Sequence, residues 1–312
     1  MKAAYERQVD LLLRVAPTVA AEACFALKGG TAINLFRRDM PRLSIDLDLT
    51  YLPRKPREAA LAEIVGALHR VAGRLDPLGI RATVQRAECK LLARTRDAVV
   101  KVEVSKMMRG SLFPPEERVL CASAQERFGR FVAMPVVNEA EVFAGKLVAA
   151  LDRQHPRDLF DTRFILDRLA AEGAGDELRV AFLAAVLSSS RPPDEILDPR
   201  IQDPGPAFER AFAGMARDPF SVKDHARTLE NLRDTLPDLL RNRERAALLG
   251  FVRLRAEAGS PPLAEVMELP AVRWKRVNLE RLRKDDAERW RQAVGKVEAV
   301  LNVLRDRGRG GR

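Results

Sequence analysis

The sequence predicts an α+β fold, in which an N-terminal domain with a mixed sheet is followed by an α-helical C-terminal domain. Alternation of apolar and polar residues, typical of strands, is confined to the first half of the chain and is clearest where Val100, Val102 and Val104 alternate with polar residues. Beyond about Asn138 the apolar residues recur at helical spacing instead. The two periodicities therefore divide the chain into a sheet-forming half and a helical half.

The N-terminal elements follow from this periodicity and from the positions of glycine and proline. A short apolar strand ends at Gly29 and Gly30, and we expect Thr31 to cap the short helix that follows. Pro41 then separates this helix from the second strand. The predicted elements are helices over 5–23, 32–36 and 57–75 and strands over 25–27, 43–51, 81–85, 89–94 and 98–105.

Two proline-containing loops interrupt the helical half, at 190–193 and 203–206, and they favour a boundary between them. We therefore expect an α/β domain over 1–135, a helical region over 136–190, and a helical C-terminal domain with a basic tail over 191–312. The helices predicted in this half cover 139–151, 159–171, 176–187, 207–216, 222–236, 237–258 and 283–307.

The composition excludes several classes of protein. With 46% hydrophobic and 31% charged residues the chain is predicted to fold, and it has no apolar run of the roughly 20 residues that span a bilayer. The N-terminus lacks the apolar core of a signal peptide, and the three cysteines are far apart, as expected of free thiols in a reducing cytoplasm. The chain also lacks the spacing of a zinc site, a hydrolase elbow or a P-loop. We therefore expect a cytoplasmic protein with no membrane partner.

Positive charge is concentrated at the C-terminal end. The chain carries a net charge of +10, and residues 273–312 contain 13 Lys or Arg against 6 Asp or Glu, which contributes +7. Such a stretch suits a polyanion such as RNA, although a solvated amphipathic helix has the same composition. Trp274 and Trp290 flank the stretch and could stack on a base, but we expect both to pack between helices.

Two acidic residues on one predicted strand carry the strongest chemical signal. Asp46 and Asp48 project from the same face of a strand, with Cα atoms about 7 Å apart, and Ile45, Leu47 and Leu49 make the opposite face apolar. Such carboxylates hold Mg²⁺ together with substrate phosphates, and the glycine pair upstream lets backbone approach those phosphates closely. The pattern predicts a nucleotidyltransferase, whereas the alternative is an edge strand with a polar outer face.

A third carboxylate is expected from a later strand. Glu103 lies on the polar side of the strand over 98–105, which could meet the first two acids in the sheet. We therefore predict Glu103 as a third metal ligand. The alternative is a surface residue paired with Lys101.

Two separated motifs stand out in the sequence. The first consists of Lys28-Gly29-Gly30-Thr31-Ala32 and Arg42-Leu43-Ser44-Ile45-Asp46-Leu47-Asp48-Leu49, and the second consists of Gly145-Lys146-Leu147-Val148-Ala149-Ala150 and Arg157-Asp158-Leu159-Phe160-Asp161. In these motifs, and over roughly residues 20–170, the chain resembles the AbiEii/AbiGii nucleotidyltransferase toxins, a branch of the DNA polymerase β-like superfamily. It departs from the wider superfamily in one respect, since Gly29-Gly30-Thr31 stands where Gly-Ser is usual. The resemblance implies that 1–135 is the nucleotidyltransferase domain and that the region over 136–190 completes its site.

The resemblance implies a role for each matching residue. The catalytic residues would be Asp46, Asp48, Lys146 and Asp158, with Mg²⁺ or Mn²⁺ held by Asp46, Asp48 and Glu103. Lys146 would neutralise triphosphate charge, and Asp158 would orient Lys146 or Arg157 or lie near the sugar. The residues that would contact the nucleotide are Gly29, Gly30, Thr31, Ser44, Lys146 and Arg157.

The residues of the second motif also have a purely structural interpretation. Lys146, Arg153 and Arg157 share one helix face if the helix is unbroken, but Pro156 predicts a break just before Arg157. Asp158 would then lie near a helix N-terminus, where a carboxylate is favoured by the helix dipole alone.

The resemblance also implies a reaction and partners. Relatives transfer a nucleoside monophosphate from an NTP to the 3′ end of tRNA and so block translation, within toxin–antitoxin or abortive-infection systems that defend against phage. We therefore expect an NTP substrate, a tRNA or other RNA acceptor and a cognate antitoxin. Two alternatives stay open: a nucleotidyltransferase that modifies a protein hydroxyl or a small molecule, and a non-catalytic NTP-binding module of an antitoxin complex.

Overall fold

The computed structural model of the protein describes residues 2–255 and 261–310. By their contacts the described residues form two compact units. The first contains the chain up to Val142 together with Ala207–Phe220, and the second contains Phe143–Pro206 and the described residues from Ser221 onward. The division into 1–135, 136–190 and 191–312 stays a prediction about domains.

The first unit is built on one seven-stranded sheet with the order β3-β4-β5-β2-β1-β7-β6. β2 pairs parallel with β5 and β1 parallel with β7, whereas the remaining neighbours are antiparallel. The sheet is therefore mixed, and the predicted α+β class is confirmed. Its strands are β1 (Phe25–Lys28), β2 (Asp46–Tyr51), β3 (Arg81–Gln85), β4 (Lys90–Arg94), β5 (Val99–Arg109), β6 (Glu116–Val119) and β7 (Ala133–Val136).

Amphipathic helices accompany this sheet. α1 and α3 each have an apolar face whose residues, among them Leu12 and Leu68, are fully buried, and both helices contact the sheet. The helical elements of this part of the chain are α1 (Ala3–Ala20), α2 (Gly29–Thr31) continued by a π-helical segment (Ala32–Arg37), α3 (Arg57–Leu75) continued by a 3₁₀ turn (Asp76–Leu78), and α4 (Ala122–Phe128).

Three short elements of the first unit are missing from the sequence prediction. β6 and β7 have four residues each, and α4 has seven. Alternation over four residues is too brief to stand out from chance, and β7 contains Pro135, which the sequence rules count against a strand. β7 pairs with β1 and β6 pairs with β7, so neighbouring strands stabilise both elements at this side of the sheet. Their own sequences carry no clear strand pattern.

Residues 207–220 return to the first unit through contacts with the loop before β2. The backbone N–H of Leu43 donates to the carbonyl of Met215 at 2.9 Å, and that of Arg217 donates to Pro41 at 2.8 Å. An aromatic cluster of three rings, with centroids 5.5 to 6.0 Å apart, lies within this segment. Its members are Phe208, Phe212 and Phe220.

The second unit is helical, as the sequence predicts. Every residue of α7 from Leu178 to Ser188 is buried, so this helix forms the centre against which other helices of the unit pack. The division between the units falls within α5 and within α9. The helices of the C-terminal half are α5 (Glu139–Arg153), α6 (Pro156–Glu172), α7 (Asp176–Ser188), α8 (Pro193–Leu197), α9 (Gly205–Ala211), α10 (Val222–Leu239), α11 (Asn242–Val252), α12 (Pro261–Met267), α13 (Pro270–Asp285) and α14 (Ala287–Gly310).

Predicted helix boundaries in this half are wrong at three places. The predicted helix over 207–216 already ends at Ala211. Pro237 was expected to separate two helices, but it lies in the last turn of α10, which continues to Leu239. The predicted helix over 283–307 belongs to two helices that meet at Asp286, where φ is −150° and ψ is 81°. Residues 256–258 of the predicted helix over 237–258 and residues 311–312 of the basic tail lie outside the described residues.

The three cysteines form no disulfide within the described part of the chain, as predicted. Across 2–255 and 261–310, no helix combines the length and the apolar character needed to cross a membrane.

Candidate functional site

The glycine turn after β1 lies directly against the second acid. Gly29 has a φ of +72°, a backbone conformation that residues with a side chain rarely adopt. A Cβ atom at this position would lie 2.8 Å from Oδ2 of Asp48. The antiparallel pairing of β1 and β2 causes this proximity, because it places Lys28 opposite Asp48. Only glycine fits here without displacing the carboxylate.

The second glycine of the turn lies against a buried arginine. A Cβ atom on Gly30 would lie 2.6 Å from Nη2 of Arg42 and 3.1 Å from Oγ of Ser44. Arg42 is only 2% exposed, and its Nη1 donates to the carbonyl oxygen of Leu43 at 2.9 Å. Burial is rare for arginine, and here it places a cation next to the turn. Arg42 is not among the predicted site residues, although it lies in the first matching motif, which could have identified it.

Thr31 links the turn to the strand that carries the acids. Its hydroxyl donates to the carbonyl oxygen of Asp46 at 2.5 Å and lies 2.9 Å from the hydroxyl of Ser44. The expectation that Thr31 caps a helix is wrong, because the helix begins at Gly29 with Lys28 as its N-cap residue. The hydroxyl is instead used between two segments of chain, and it fixes the distance from the turn to β2.

Asp46 and Asp48 point to the same face of β2. Both are partly exposed, whereas Leu47 and Leu49 are fully buried on the opposite face. The predicted strand over 43–51 starts only at Asp46, so the first acid stands at the beginning of the strand. The apolar residues anchor β2 in the core, and this leaves both carboxylates at the accessible surface of the sheet.

The neighbouring strand β5 adds a carboxylate and two cations to this face. In the parallel register Asp46 lies opposite Lys101 and Asp48 lies opposite Glu103. Nζ of Lys101 is 3.8 Å from Oδ1 of Asp46 and 3.4 Å from Oε2 of Glu103, and Nζ of Lys90 is also 3.4 Å from Oε2 of Glu103. Glu103 is therefore a register neighbour of the acid pair and is ion-paired with Lys101, the alternative arrangement considered for it.

The donor set on this face suits a metal that is shared with a substrate. Within the described residues, no group of three or more His, Cys, Asp or Glu side chains is placed to hold a metal ion. Asp46 and Asp48 provide two carboxylates, and Mg²⁺ is typically bound by one or two carboxylates plus substrate phosphates and water. The acid pair therefore fits a metal that arrives with a phosphorylated substrate better than a resident ion in a closed protein cage.

A second polar cluster lies in the helical unit, around Lys146 of α5. Nζ of Lys146 is 2.8 Å from Oδ1 of Asp158 and 3.0 Å from Oδ2 of Asp161. Nη2 of Arg153 is 2.9 Å from the other oxygen of Asp158. The side chains of Lys146, Asp158 and Asp161 are at most 6% exposed, whereas that of Arg153 is 63% exposed. The ammonium is thus held in one place by two buried carboxylates.

The interruption between helices α5 and α6 makes this cluster possible. Gln154 has a φ of +49°, and α6 begins at Pro156 with His155 as its N-cap, whose ring accepts from the N–H of Arg157 at 3.1 Å. The predicted break before Arg157 is therefore confirmed. Because α6 starts in a new direction, Asp158 in its first turn can reach Lys146 on α5.

Asp161 was missed as a candidate site residue, although it belongs to the quoted motif. Its spacing of three residues from Asp158 places both carboxylates on one face of α6, which is the signal that could have found it. Arg157 is half-buried in the first turn of the same helix.

Comparison with known proteins identifies the family of this chain. The family model described as nucleotidyl transferase AbiEii toxin of type IV toxin–antitoxin systems matches residues 10–301, which include both motifs. The chain belongs to this family. It is therefore a nucleotidyltransferase toxin, with an NTP as substrate and an antitoxin as partner, and nucleotidyltransferases in general also use a divalent metal.

A solved structure supports the same fold. The chain is similar to MenT4, a nucleotidyltransferase toxin from Mycobacterium tuberculosis H37Rv, with a TM-score of 0.56 and 18% sequence identity. The match covers 97% of this chain and 95% of MenT4. No curated protein matches the sequence. The family resemblance inferred from two short motifs is thus confirmed over nearly the whole chain.

Proposed function

We propose that this toxin transfers a nucleoside monophosphate from an NTP to the 3′ end of tRNA in a Mg²⁺-dependent reaction, and that this modification stops translation. In the transfer, the oxygen of the terminal 3′-hydroxyl gives up its proton to water and forms a bond to the α-phosphorus, the bond from the α-phosphorus to the bridging oxygen breaks, and pyrophosphate leaves. The observation that carries the proposal is the glycine turn packed against an acid pair on one strand face, in a chain of the nucleotidyltransferase family.

Asp46 and Asp48 would hold the Mg²⁺, which supplies charge stabilisation for the attacking and leaving oxygens. We include Glu103 as a third ligand because it is the register neighbour of Asp48 on the same polar face. For Glu103 to take this role, its carboxylate must exchange the ammonium groups of Lys90 and Lys101 for the metal. A substitution of Glu103 is therefore expected to weaken metal binding less than a substitution of Asp48.

The nucleotide would be held by residues of both motifs. Phosphates can approach the backbone N–H groups of Gly29 and Gly30 closely because glycine has no side chain of its own, and the hydroxyls of Thr31 and Ser44 lie beside this turn. Buried Arg42 adds positive charge behind Gly30.

Lys146 and Arg157 would neutralise the triphosphate. The position of Lys146 supports this role, because contacts with Asp158 and Asp161 prevent the flexible lysine side chain from adopting other rotamers. We assign Asp158 and Asp161 as positioning residues that hold the ammonium in place.

The RNA acceptor is supported by charge. Residues 273–312 carry +7 of the net +10 of the chain, which suits an acceptor with a phosphate backbone. We further propose that the reaction takes place in the cytoplasm, where NTPs and tRNA are available, and that it serves abortive infection as a defence against phage.

The proposal is tested by labelling. Purified protein is incubated with each of the four α-labelled NTPs, Mg²⁺, total RNA and a protein extract, and the RNA and protein are then separated. We expect label in the tRNA band, loss of labelling with EDTA, and no labelling by Asp48→Asn. Asp97→Asn is the matched control, because Asp97 is an exposed carboxylate in the turn between β4 and β5 of the same sheet.

Each alternative gives a different result. Label in protein or in a small molecule would reject the RNA acceptor, and NTP binding without pyrophosphate release would reject catalysis. If Asp48→Asn still labels tRNA at the wild-type rate, the assignment of the metal site is wrong.

A further inference from the structure

One face of α13 exposes an aromatic side chain. Trp274 is 47% exposed and Val277, one turn further along, is 38% exposed. The expectation that Trp274 packs between helices is therefore wrong, whereas Trp290 does pack, since its Nε1 donates to the carbonyl of Val252 at 3.1 Å. Single exposed aromatic residues are common on protein surfaces, so the charge around Trp274 decides what this face can bind.

The opposite side of α13 is anchored, which fixes the direction of this face. Ala271 and Val272 are buried, and Nζ of Lys275 donates to the carbonyls of Arg191 at 2.9 Å and Val186 at 3.4 Å. Burial lowers the pKa of the Lys275 ammonium to about 8. Because α13 is held by these contacts, Trp274 cannot turn inward without breaking them.

The exposed face is basic. The guanidinium of Arg281 lies 5.7 Å from the centroid of the Trp274 ring, a cation–π contact that orders both side chains. Arg273 and Lys284 are exposed on the same side of the helix. Over the whole of α13, Pro270–Asp285, six Lys or Arg stand against two acids, Glu280 and Asp285.

We propose that this face of α13 binds the RNA acceptor by stacking an unpaired base on Trp274, while Arg273, Arg281 and Lys284 contact the flanking phosphates. This inference rests on the proposed function and names the surface that its acceptor uses. Bases of single strands stack on aromatic side chains and on arginine, and the basic neighbours provide the charge complementarity that an acidic phosphate backbone requires. Tryptophan and arginine are also common in protein interfaces, but the excess of six cations over two acids along α13 favours a polyanion such as RNA over a protein partner.

The two tryptophans of the chain allow a direct optical test. A 12-nucleotide single-stranded RNA and a fully paired RNA of the same length are titrated into the protein, with intrinsic fluorescence and anisotropy as readouts. We expect the single strand to quench the exposed Trp274 more than the paired RNA does. Trp274→Phe should abolish that quenching yet retain most of the affinity, because phenylalanine still stacks.

The affinity is measured on a second set of variants. Trp274→Ala should weaken binding of the single strand about 5- to 150-fold, the usual effect of removing a stacking partner. Lys284→Gln should reduce the slope of log K against log salt concentration by about 0.7. Phe131→Ala is the matched control, because Phe131 is 71% exposed in the first unit and should not affect RNA binding.

Labelling kinetics separate this inference from the proposed function. Trp274→Ala should raise the KM for tRNA and leave kcat unchanged, since Trp274 is not part of the reacting groups. Wild-type affinity and KM in Trp274→Ala would overturn the inference alone, as would loss of antitoxin inhibition with unchanged RNA binding. If the wild-type protein labels no RNA but Trp274→Ala still weakens RNA binding, the proposed function fails and the RNA surface stands.

Discussion

Gly29→Ala is the substitution that most directly tests the arrangement of the turn and the acid pair. It adds a single methyl group at a position where φ is +72° and where the new Cβ would lie 2.8 Å from Oδ2 of Asp48. Two separate effects follow from these two numbers. The backbone is strained because an L-residue is disfavoured at positive φ, and the Asp48 carboxylate is displaced because it is the movable end of a side chain.

The magnitudes can be worked out separately. A residue with a side chain in the left-handed region costs about 1–2 kcal/mol of folding free energy. Non-bonded atoms prefer separations of about 3.5 Å or more, so the carboxylate oxygen must retreat by roughly 0.7 Å. A displacement near 1 Å at a reacting group lowers the rate by about 100-fold. We therefore expect a modest loss of stability and a large loss of turnover.

Two other glycines provide matched controls. Gly79 also has a positive φ, +69°, but no described atom lies within 4 Å of a Cβ built there, so Gly79→Ala carries the backbone strain alone. Gly73 lies inside α3 with nothing near its Cβ position, and Gly73→Ala should stabilise the protein by about 0.5–1 kcal/mol.

The assay combines urea unfolding with single-turnover labelling by the three variants. Gly29→Ala and Gly79→Ala should lose comparable stability, and only Gly29→Ala should lose about 100-fold in rate. Wild-type turnover by Gly29→Ala would refute the placement of Asp48 against the turn. Equal loss of rate in Gly79→Ala would show that stability, rather than the carboxylate position, controls activity.

Three further predictions concern buried polar groups. Thr31→Val should lower the free energy of unfolding in urea by about 1–3 kcal/mol, because the hydroxyl of Ser44 and the carbonyl of Asp46 lose their hydrogen-bond partner. Thr31→Ser should retain most of the stability. Lys146→Met should lower the unfolding free energy by about 3–5 kcal/mol, because buried Asp158 and Asp161 lose their shared ammonium while Asp158 keeps its contact with Arg153. Adding Asp161→Asn should recover part of that loss, and strict additivity of the two substitutions would contradict the contact. Burial lowers the pKa of His225, whose Nε2 donates to the carbonyl of Gln154 at 2.7 Å, so the folded protein keeps a neutral ring while the unfolded chain takes up a proton below about pH 6.5. The unfolding free energy should therefore fall as the pH drops below 6.5, by up to about 1.4 kcal/mol per pH unit, and His225→Gln should remove this component of the pH dependence.

Much of the fold was predictable from local patterns. Strict alternation in β5 and helical spacing in α3 identify both elements, because the period of the apolar residues reflects which face is buried. The break at Pro156 was predictable because proline lacks the backbone N–H of a helix interior and is favoured at the first position of a helix. Short elements such as β6 were not predicted, because pairing with neighbouring strands stabilises them and their own sequence pattern does not.

Some residues of the candidate site were likewise predictable from local patterns, whereas others depend on the fold. Asp46 and Asp48 were found because the period of a strand places them on one face whatever surrounds it. Arg42 behind Gly30 and Asp161 beside Lys146 depend on contacts between segments that are distant in sequence or that turn at a break. The hydroxyl of Thr31 shows the difference most clearly, because a helix cap was the reasonable local expectation and a bond to Asp46 is what the fold provides.

The amino-acid order alone therefore determined the α+β class, the family and the acid pair, since all three are carried by local periodicity and short motifs. Tertiary structure alone decided what surrounds those acids: the fit of Gly29 against Asp48, the pairing of Glu103 with two lysines, and the return of residues 207–220 to the loop before β2. The physical reason is that periodicity reports which side of an element is buried, whereas the partner on that side is chosen by packing across the whole unit.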